Sequence, residues 1–459
     1  VVELNIVTEK AWGKKIAGSV TIAALAVAVS MLGTAAGADP ARPAMRDFLG
    51  ICGHTVQFRP HLYAPVCSRV RDYHPVAWDL AANTAELPDL PFAKNHVNWE
   101  NVYTAWSREG FRTDVSLMFD SIEPARWHDL KNDSAAYAAA FASRFGPSGK
   151  TPLVESVEIG NEPGNYTDAQ YATLLQAVGP SLRHADPQLR IATCNLTTGP
   201  STRYAKSVAT LLADPSILST IDVLNIHTYA QAEPYPTWRR SYPEDPQLAY
   251  LRDVMNLAHW RDQHAPGKLI WITEFGYDST TQKPDPKTEF ARWEGVTDLQ
   301  QAQYLVRSAL LFAALPVDRA YIYFFNDQDE AKVHAASGIT RNFQPKPSYY
   351  ALAHLQSTLG AFRFSRVLEA KAGDVFAYEF SSIDHPADRI VVAWSPTGNG
   401  RITTTALTLP AGSRITRAQR MPVNAESPVD LAIPSPASVP LSESPIYLFV
   451  SASTTTPEE

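Results

Sequence analysis

Val154-Glu155-Ser156-Val157-Glu158-Ile159-Gly160 is followed by Thr167-Asp168-Ala169-Gln170, a helical run to His184, and then Arg190-Ile191-Ala192-Thr193-Cys194-Asn195. The outer pieces are short apolar runs. The middle piece is long and opens with a capping box, in which the Thr oxygen and the Gln side chain satisfy helix donors that would otherwise be orphaned. Strand, helix and strand in this order predict a βα unit of a parallel sheet. Working outward, the same alternation yields eight strand-like runs: Phe48 to His54, Val70 to His74, Asp114 to Asp120, Val154 to Gly160, Arg190 to Asn195, Val223 to Tyr229, Leu269 to Phe275 and Ala320 to Asn326. From the fourth run onward the separating helices read Thr167 to His184, Ser207 to Ala213, Leu248 to His264 and Asp298 to Ala314. The last has its own capping box, Thr297-Asp298-Leu299-Gln300, and sets Leu299, Ala302, Val306, Ala309, Leu310 and Ala313 on one face, which predicts a sheet as its partner.

Eight strands, each followed by a helix, predict an α/β fold of the (β/α)8 TIM barrel type. An open doubly wound sheet is the alternative, but it would normally show a Gly-rich phosphate loop after its first strand. Here Phe48-Leu49-Gly50-Ile51-Cys52-Gly53-His54 runs on into Thr55-Val56-Gln57 rather than a GxGxxG helix start. After Gly360 the texture becomes alternating, as in Val375 to Phe380, Arg389 to Trp394 and Ile446 to Val450, which predicts a small antiparallel β-sandwich. The expected organisation is a leader over residues 1–38, a barrel over 39–360 and a β-sandwich over 361–459 with a frayed end from Ser451. The leader is expected because Lys14 and Lys15 precede an apolar run from Ile16 that ends in Ala36-Gly37-Ala38, with cleavage before Asp39 and a secreted or periplasmic product. An uncleaved anchor is the alternative, since about 23 weakly apolar residues can span a bilayer.

The 459 residues are 45% apolar and 19% charged, ample for a packed core. With 47 acidic against 40 basic side chains the net charge is -7, so no basic surplus is available to neutralise nucleic acid. Three Cys are too few for a disulfide framework. Cys52 and Cys67 are near enough in sequence to bridge, and Cys194 reads as core. No ligand spacing supports a metal, and no cofactor is expected.

Active sites of such barrels lie at the carboxyl ends of the strands. There strand four ends Glu158-Ile159-Gly160-Asn161-Glu162-Pro163, strand six carries His227-Thr228-Tyr229, and strand seven ends Trp271-Ile272-Thr273-Glu274-Phe275-Gly276. Two carboxylates three strands apart face each other across the mouth. Paired Glu residues suit glycosidic cleavage, whose oxocarbenium-like state needs a proton for the leaving oxygen and a nucleophile on the opposite face of the ring. Taken alone, Glu162 is equally a surface acid near a helix start, and His227 a core histidine. Their joint spacing argues otherwise.

These residues resemble the retaining glycoside hydrolases of clan A, and the attached β-sandwich with Gln344-Pro345-Lys346-Pro347-Ser348-Tyr349 is similar to family 39 and its neighbours. The resemblance implies Glu162 as general acid and base, Glu274 as nucleophile, Asn161 on the substrate 2-hydroxyl, His227 and Tyr229 as the strand-six His-x-Tyr, and Arg71 at strand two as a donor to the nucleophile. Arg71 competes with Arg69, and a structural pairing with Asp72 is the alternative. Two departures concern the sugar. The clan's strand-eight Trp is replaced by Tyr323-Phe324-Phe325-Asn326, from which Phe325 is taken as nearer the site, and its strand-three His is missing from Ser116-Leu117-Met118-Phe119-Asp120. His74, with His54, Asn95 and His96, is a further subsite candidate.

After strand six, the segment Gln231 to Pro246 holds Tyr235, Trp238, Arg239, Arg240 and Tyr242. Trp238 is expected to stack on sugar, and the two Arg either bind an anionic sugar or pin the loop to Glu244 and Asp245. The resulting expectation is a metal-free hydrolase of a β-linked oligo- or polysaccharide. A transglycosidase or polysaccharide-trimming enzyme using the same residues and a non-catalytic carbohydrate-binding barrel are the alternatives.

Overall fold

The computed structural model describes residues 42–452 apart from 55–58, 81, 410–411 and 427. The expected leader over 1–38 and residues 453–459 lie outside them. Eight parallel strands form the first unit: β1 (Leu49–Cys52), β2 (Arg69–Pro75), β3 (Arg112–Met118), β4 (Val154–Ile159), β5 (Arg190–Thr197), β6 (Val223–His227), β7 (Leu269–Phe275) and β8 (Arg319–Ile322). Each is bonded to its sequence neighbours, and β8 pairs back onto β1, so the sheet closes into a barrel. Around it lie α1 (Trp99–Arg108), α2 (Leu130–Phe145), α3 (Asp168–Ala185), α4 (Tyr250–His264), α5 (Asp298–Ala314) and α6 (Pro347–Leu359), with short helical turns between them. The helix expected over Ser207 to Ala213 is two such turns, Val208–Leu211 and Pro215–Thr220, because Asp214-Pro215 starts a new N-terminus there.

Alternation along β2 decides what meets what. Arg69, Arg71 and Tyr73 share one face, and Val70, Asp72 and His74 the other. The first face fills the barrel with charge. Arg69 and Arg319 converge on Asp114, which Tyr321 and Ser156 also bind, and Arg319 stacks over Trp271 at 4.0 Å. Gly50 belongs to this layer: a Cβ there would stand 2.5 Å from the Tyr321 ring.

Both capping boxes form, Thr167 with Gln170 and Thr297 with Gln300. Helix α5 departs from its expected one-sided burial. Leu299 is 47% exposed, whereas every residue from Gln301 to Ala314 is buried. Barrel, α6 and the C-terminal sheet enclose it together, so its polar positions are buried as well.

The C-terminal unit is a six-stranded antiparallel sheet containing Phe362–Lys371, Val375–Ser382, Arg389–Trp394, Ser413–Arg420, Asp430–Leu431 and Ile446–Ala452, with a ribbon of Thr403–Thr405 and Val439–Leu441. Period-two alternation splits it. Phe376, Tyr378, Trp394 and Tyr447 join the barrel's core, while Val375, Ala377, Val391, Ala393 and Leu448 pack with Leu407, Val439 and Leu441 into a second core. At the junction, buried Arg307 of α5 binds Glu244 of the loop after β6 and Glu443 of the sheet, and the Trp394 indole donates to Glu244 at 2.6 Å.

The thiols of Cys52 and Cys67 are unbridged, correcting that expectation. Cys52 donates to the Thr273 carbonyl across the barrel, and Cys67 to the nearby Arg69 carbonyl, so the two side chains are committed to different partners. Cys194 is buried in β5 as expected.

Removing one partner of a buried ion pair strands the other. Arg307→Leu is therefore expected to cost about 3–5 kcal/mol in urea unfolding. Lys371→Ala, which breaks an exposed pair with Asp374, is expected to leave the urea midpoint essentially unchanged.

Candidate active site

Strand ends at the mouth bring the paired carboxylates together. Gly160, at φ +85°, takes up the left-handed turn that ends β4, and the next two residues turn toward the axis. Their backbone N–H groups donate to the Asp120 carboxylate at 3.1 and 3.3 Å, which fixes Asn161 and Glu162. Glu274 is aimed by an irregularity of β7: its pairing slips register against β6 between Ile226 and His227 and against β8 between Ile272 and Phe275. Phe275 then packs on Phe312 of α5, while Glu274 meets Arg71.

Arg71, fully buried, donates to both Glu158 oxygens at 2.7 and 2.6 Å, to Glu274 Oε1 at 3.0 Å and to Asn161 Oδ1 at 2.8 Å. Tyr73 donates to Glu274 Oε1 at 2.6 Å and Tyr229 to Oε2 at 2.8 Å. His227 Nδ1 lies 2.9 Å from Glu162 Oε1 and 3.5 Å from Glu274 Oε2. One ligating atom from each of Glu162, His227 and Glu274 falls within 4.8 Å of the others. These three are the residues that could hold a cation. The Arg71 charge on Glu274 opposes that use, and the three already bond to one another and to tyrosines.

The two carboxyls differ in environment. Burial pushes Glu162 up, and the charges of Glu274 and Asp120 add to this, against the bond from His227, which lowers it. Burial would raise Glu274 too, but the facing His227 and Arg71 charges and the two tyrosine hydroxyls more than reverse this and hold it at about 2. Glu162 is also the more open side chain, 27% exposed against 8%.

Asn161, Glu162, His227, Tyr229, Glu274 and Arg71 thus form one connected group. The other candidates lie elsewhere. His74 is on the opposite face of β2 from Arg71, stacked on Trp99 at 3.6 Å and bonded to Tyr103, Asp79 and Tyr137 among the outer helices. Phe325 is wholly buried against Tyr63 and Phe343. The strand-eight residue whose hydroxyl feels both Glu274 and Glu162 is Tyr323. Trp238 packs on Tyr235 and Phe290 and makes no hydrogen bond or ring contact with the group around Glu274. Asn95 and His96 are exposed, and His54 stacks on Tyr73 at 5.2 Å. Arg239 pairs with Glu233, and Arg240 with Asp278, Gly276 and His334, so the loop is pinned, though not by Glu244 or Asp245.

Tyr73, Glu158, Asp120 and Tyr323 escaped the sequence reading. Tyr73 had a signal, since it stands two residues from Arg71 on a strand. Glu158 had a weaker one, as an acid in the middle of an otherwise apolar buried run.

No protein-family model matches the sequence, and no curated protein does. Solved structures match strongly. A family 39 glycoside hydrolase from Bacteroides cellulosilyticus WH2 superposes with a TM-score of 0.65 at 19% identity, over 89% of this chain and 81% of that one. The fold is shared with glycoside hydrolases. A glucosidase from Croceicoccus marinus gives 0.60 at 13% identity over 90% and 98% of the two chains. CelM2, a bifunctional glucanase-xylanase from a metagenome library, gives 0.59 at 13% over 90% and 97%. At such identities the likeness to these hydrolases is one of architecture.

The shifts fix the sign of two pH effects. Glu274, depressed from 4.5 to about 2, contributes stability that is present above pH 4.5 and lost as the pH falls toward 2. Glu162, raised, contributes in the opposite sense: its share is present below 4.5 and lost as the pH rises through its folded value. In paired urea titrations Glu162→Gln should therefore gain stability relative to wild type as the pH rises above about 4.5, and Glu274→Gln should lose it as the pH rises from about 2 to 4.5. A difference that does not change with pH would contradict these assignments.

Proposed function

We propose that this chain is a retaining O-glycoside hydrolase that cleaves β-glycosidic bonds in an oligo- or polysaccharide by double displacement. The observation that carries the reading is a protonatable carboxyl and an ionised carboxylate with oxygens within 4.8 Å of each other, at the carboxyl ends of strands four and seven. Retaining enzymes hold the two groups about 5–5.5 Å apart, whereas inverting ones leave about 6.5–9.5 Å for an intervening water. A glycoside substrate accords with the glucosidase and glucanase-xylanase among the structural neighbours.

In the first step Glu162 gives its proton to the leaving glycosidic oxygen while Glu274 attacks the anomeric carbon. Arg71, Tyr73 and Tyr229 keep Glu274 ionised and aimed. Glu162, having given up its proton, stays ionised because forming the ester removes the negative charge that helped raise its pKa, so its carboxylate is free to act as base. It then takes a proton from the water that hydrolyses the intermediate. Asn161, held by Arg71, is placed to bind the hydroxyl next to the anomeric carbon. No step calls on a metal or cofactor. Export through the segment ending at Ala38 would place the enzyme beside extracellular glycans.

Glu274→Ala is expected to abolish turnover of aryl β-glycosides and polysaccharides. Glu162→Gln is expected to lower it about 10²–10⁴-fold, least where the leaving group needs no proton. A 2-deoxy-2-fluoro glycoside should trap an ester that peptide mass spectrometry locates on Glu274. Full activity in Glu274→Ala would sink the mechanism. Adding an acceptor sugar separates hydrolysis from transglycosylation by the products formed.

A further inference from the structure

His334 lies in the loop between β8 and α6, and nothing in the double displacement uses it. Its ring packs edge-on against Tyr229 at 4.8 Å and Tyr323 at 5.9 Å, two of the aromatics around Glu274. The residue is exposed, yet the protein around it desolvates the imidazole enough to hold its pKa at about 4. The Arg240 charge lowers that pKa further, and Asp278 and Glu274 oppose the shift. Its backbone sits at φ +62°, in the left-handed region that a non-glycine residue occupies at a cost, and such strain concentrates at functional positions.

Arg240 settles which ring nitrogen carries the proton. The guanidinium is 3% exposed on its side chain, lies flat over Tyr229 at 4.5 Å, and is held by Asp278 Oδ2 at 3.1 Å and the Gly276 carbonyl at 2.7 Å. Its Nη2 lies 3.2 Å from His334 Nδ1. A guanidinium only donates, so Nδ1 of the neutral ring must accept, and the hydrogen sits on Nε2. Among the described residues no partner takes Nε2. The loop therefore presents one neutral N–H donor of fixed tautomer beside the nucleophile's tyrosine.

Resting on the glycosidase reading, we infer that His334 is a substrate-binding residue whose Nε2–H donates to a hydroxyl oxygen of the sugar attacked by Glu274. The contact it offers is a directional bond and not an apolar stacking face. Specificity by such a bond is sharp, because a sugar lacking that hydroxyl leaves the donor unpaired. Arg240 acts through His334 and is a positioning residue.

The test compares kcat/KM of wild type, His334→Ala and His334→Gln on an aryl β-glycoside and on its monodeoxy analogues. His334→Ala should lose about tenfold on the parent and nothing on the one analogue that lacks the bonded hydroxyl. His334→Gln, which keeps an amide donor, should recover part of the loss. In parallel, ¹⁵N NMR of histidine-labelled protein should show His334 protonated on Nε2 at neutral pH. Equal losses on every analogue in an active enzyme, or a proton on Nδ1, would overturn the role of His334 alone. A wild-type chain that turns over none of the glycosides would overturn the hydrolase reading and this role with it.

Discussion

The guanidinium of Arg71 brings one positive charge into a dry space shared with two carboxylates, Glu158 of strand four and Glu274 of strand seven. Burying ions costs several kcal/mol each, and the cost is offset only where geometry is good and each donor is used. Here Nε, Nη1 and Nη2 all find oxygens at 2.6–3.0 Å. That arrangement requires strands two, four and seven to keep fixed positions on a closed ring. Closing the barrel and building the site are thus one event.

From that charge the inequality between Glu162 and Glu274 follows. Both carboxyls are largely buried, and burial alone would protonate both. The His227 and Arg71 charges and two phenols hold Glu274 down, whereas Asp120 and Glu274 itself press on Glu162. Two like groups close together are pushed to opposite protonation states by which neighbours each can touch. In general terms this is how one site holds an acid and a nucleophile at one pH.

The sequence shows this design unevenly. Strand–helix alternation and the two capping boxes are local, so they read directly into barrel and helices. The pair Glu162 and Glu274 was legible because strand ends map onto one face of the barrel. Side-chain direction was less so. Arg71 and His74 cannot share a face three residues apart on a strand, and alternation would have chosen Tyr73 instead of His74. Leu299 and Phe325 were misjudged for a different reason: their exposure depends on what packs from outside, and period alone does not name that partner. Glu158 illustrates the same limit, since its use depends on a guanidinium 87 residues away.

Glu244 belongs to the loop that follows strand six and Tyr229, yet its partners are Arg307, Trp394 and, through Arg307, Glu443. On the ribosome the eight strands and Arg307 are complete once Ile322 has emerged, but Trp394 and Glu443, which enclose the group around Arg307 and Glu244, are made only afterwards. The barrel can close, with Arg240 pinning the loop to Gly276 and Asp278, before the Arg307 charge is fully enclosed. The C-terminal sheet therefore acts as a clamp, closing over a charge that the barrel alone leaves partly unmatched.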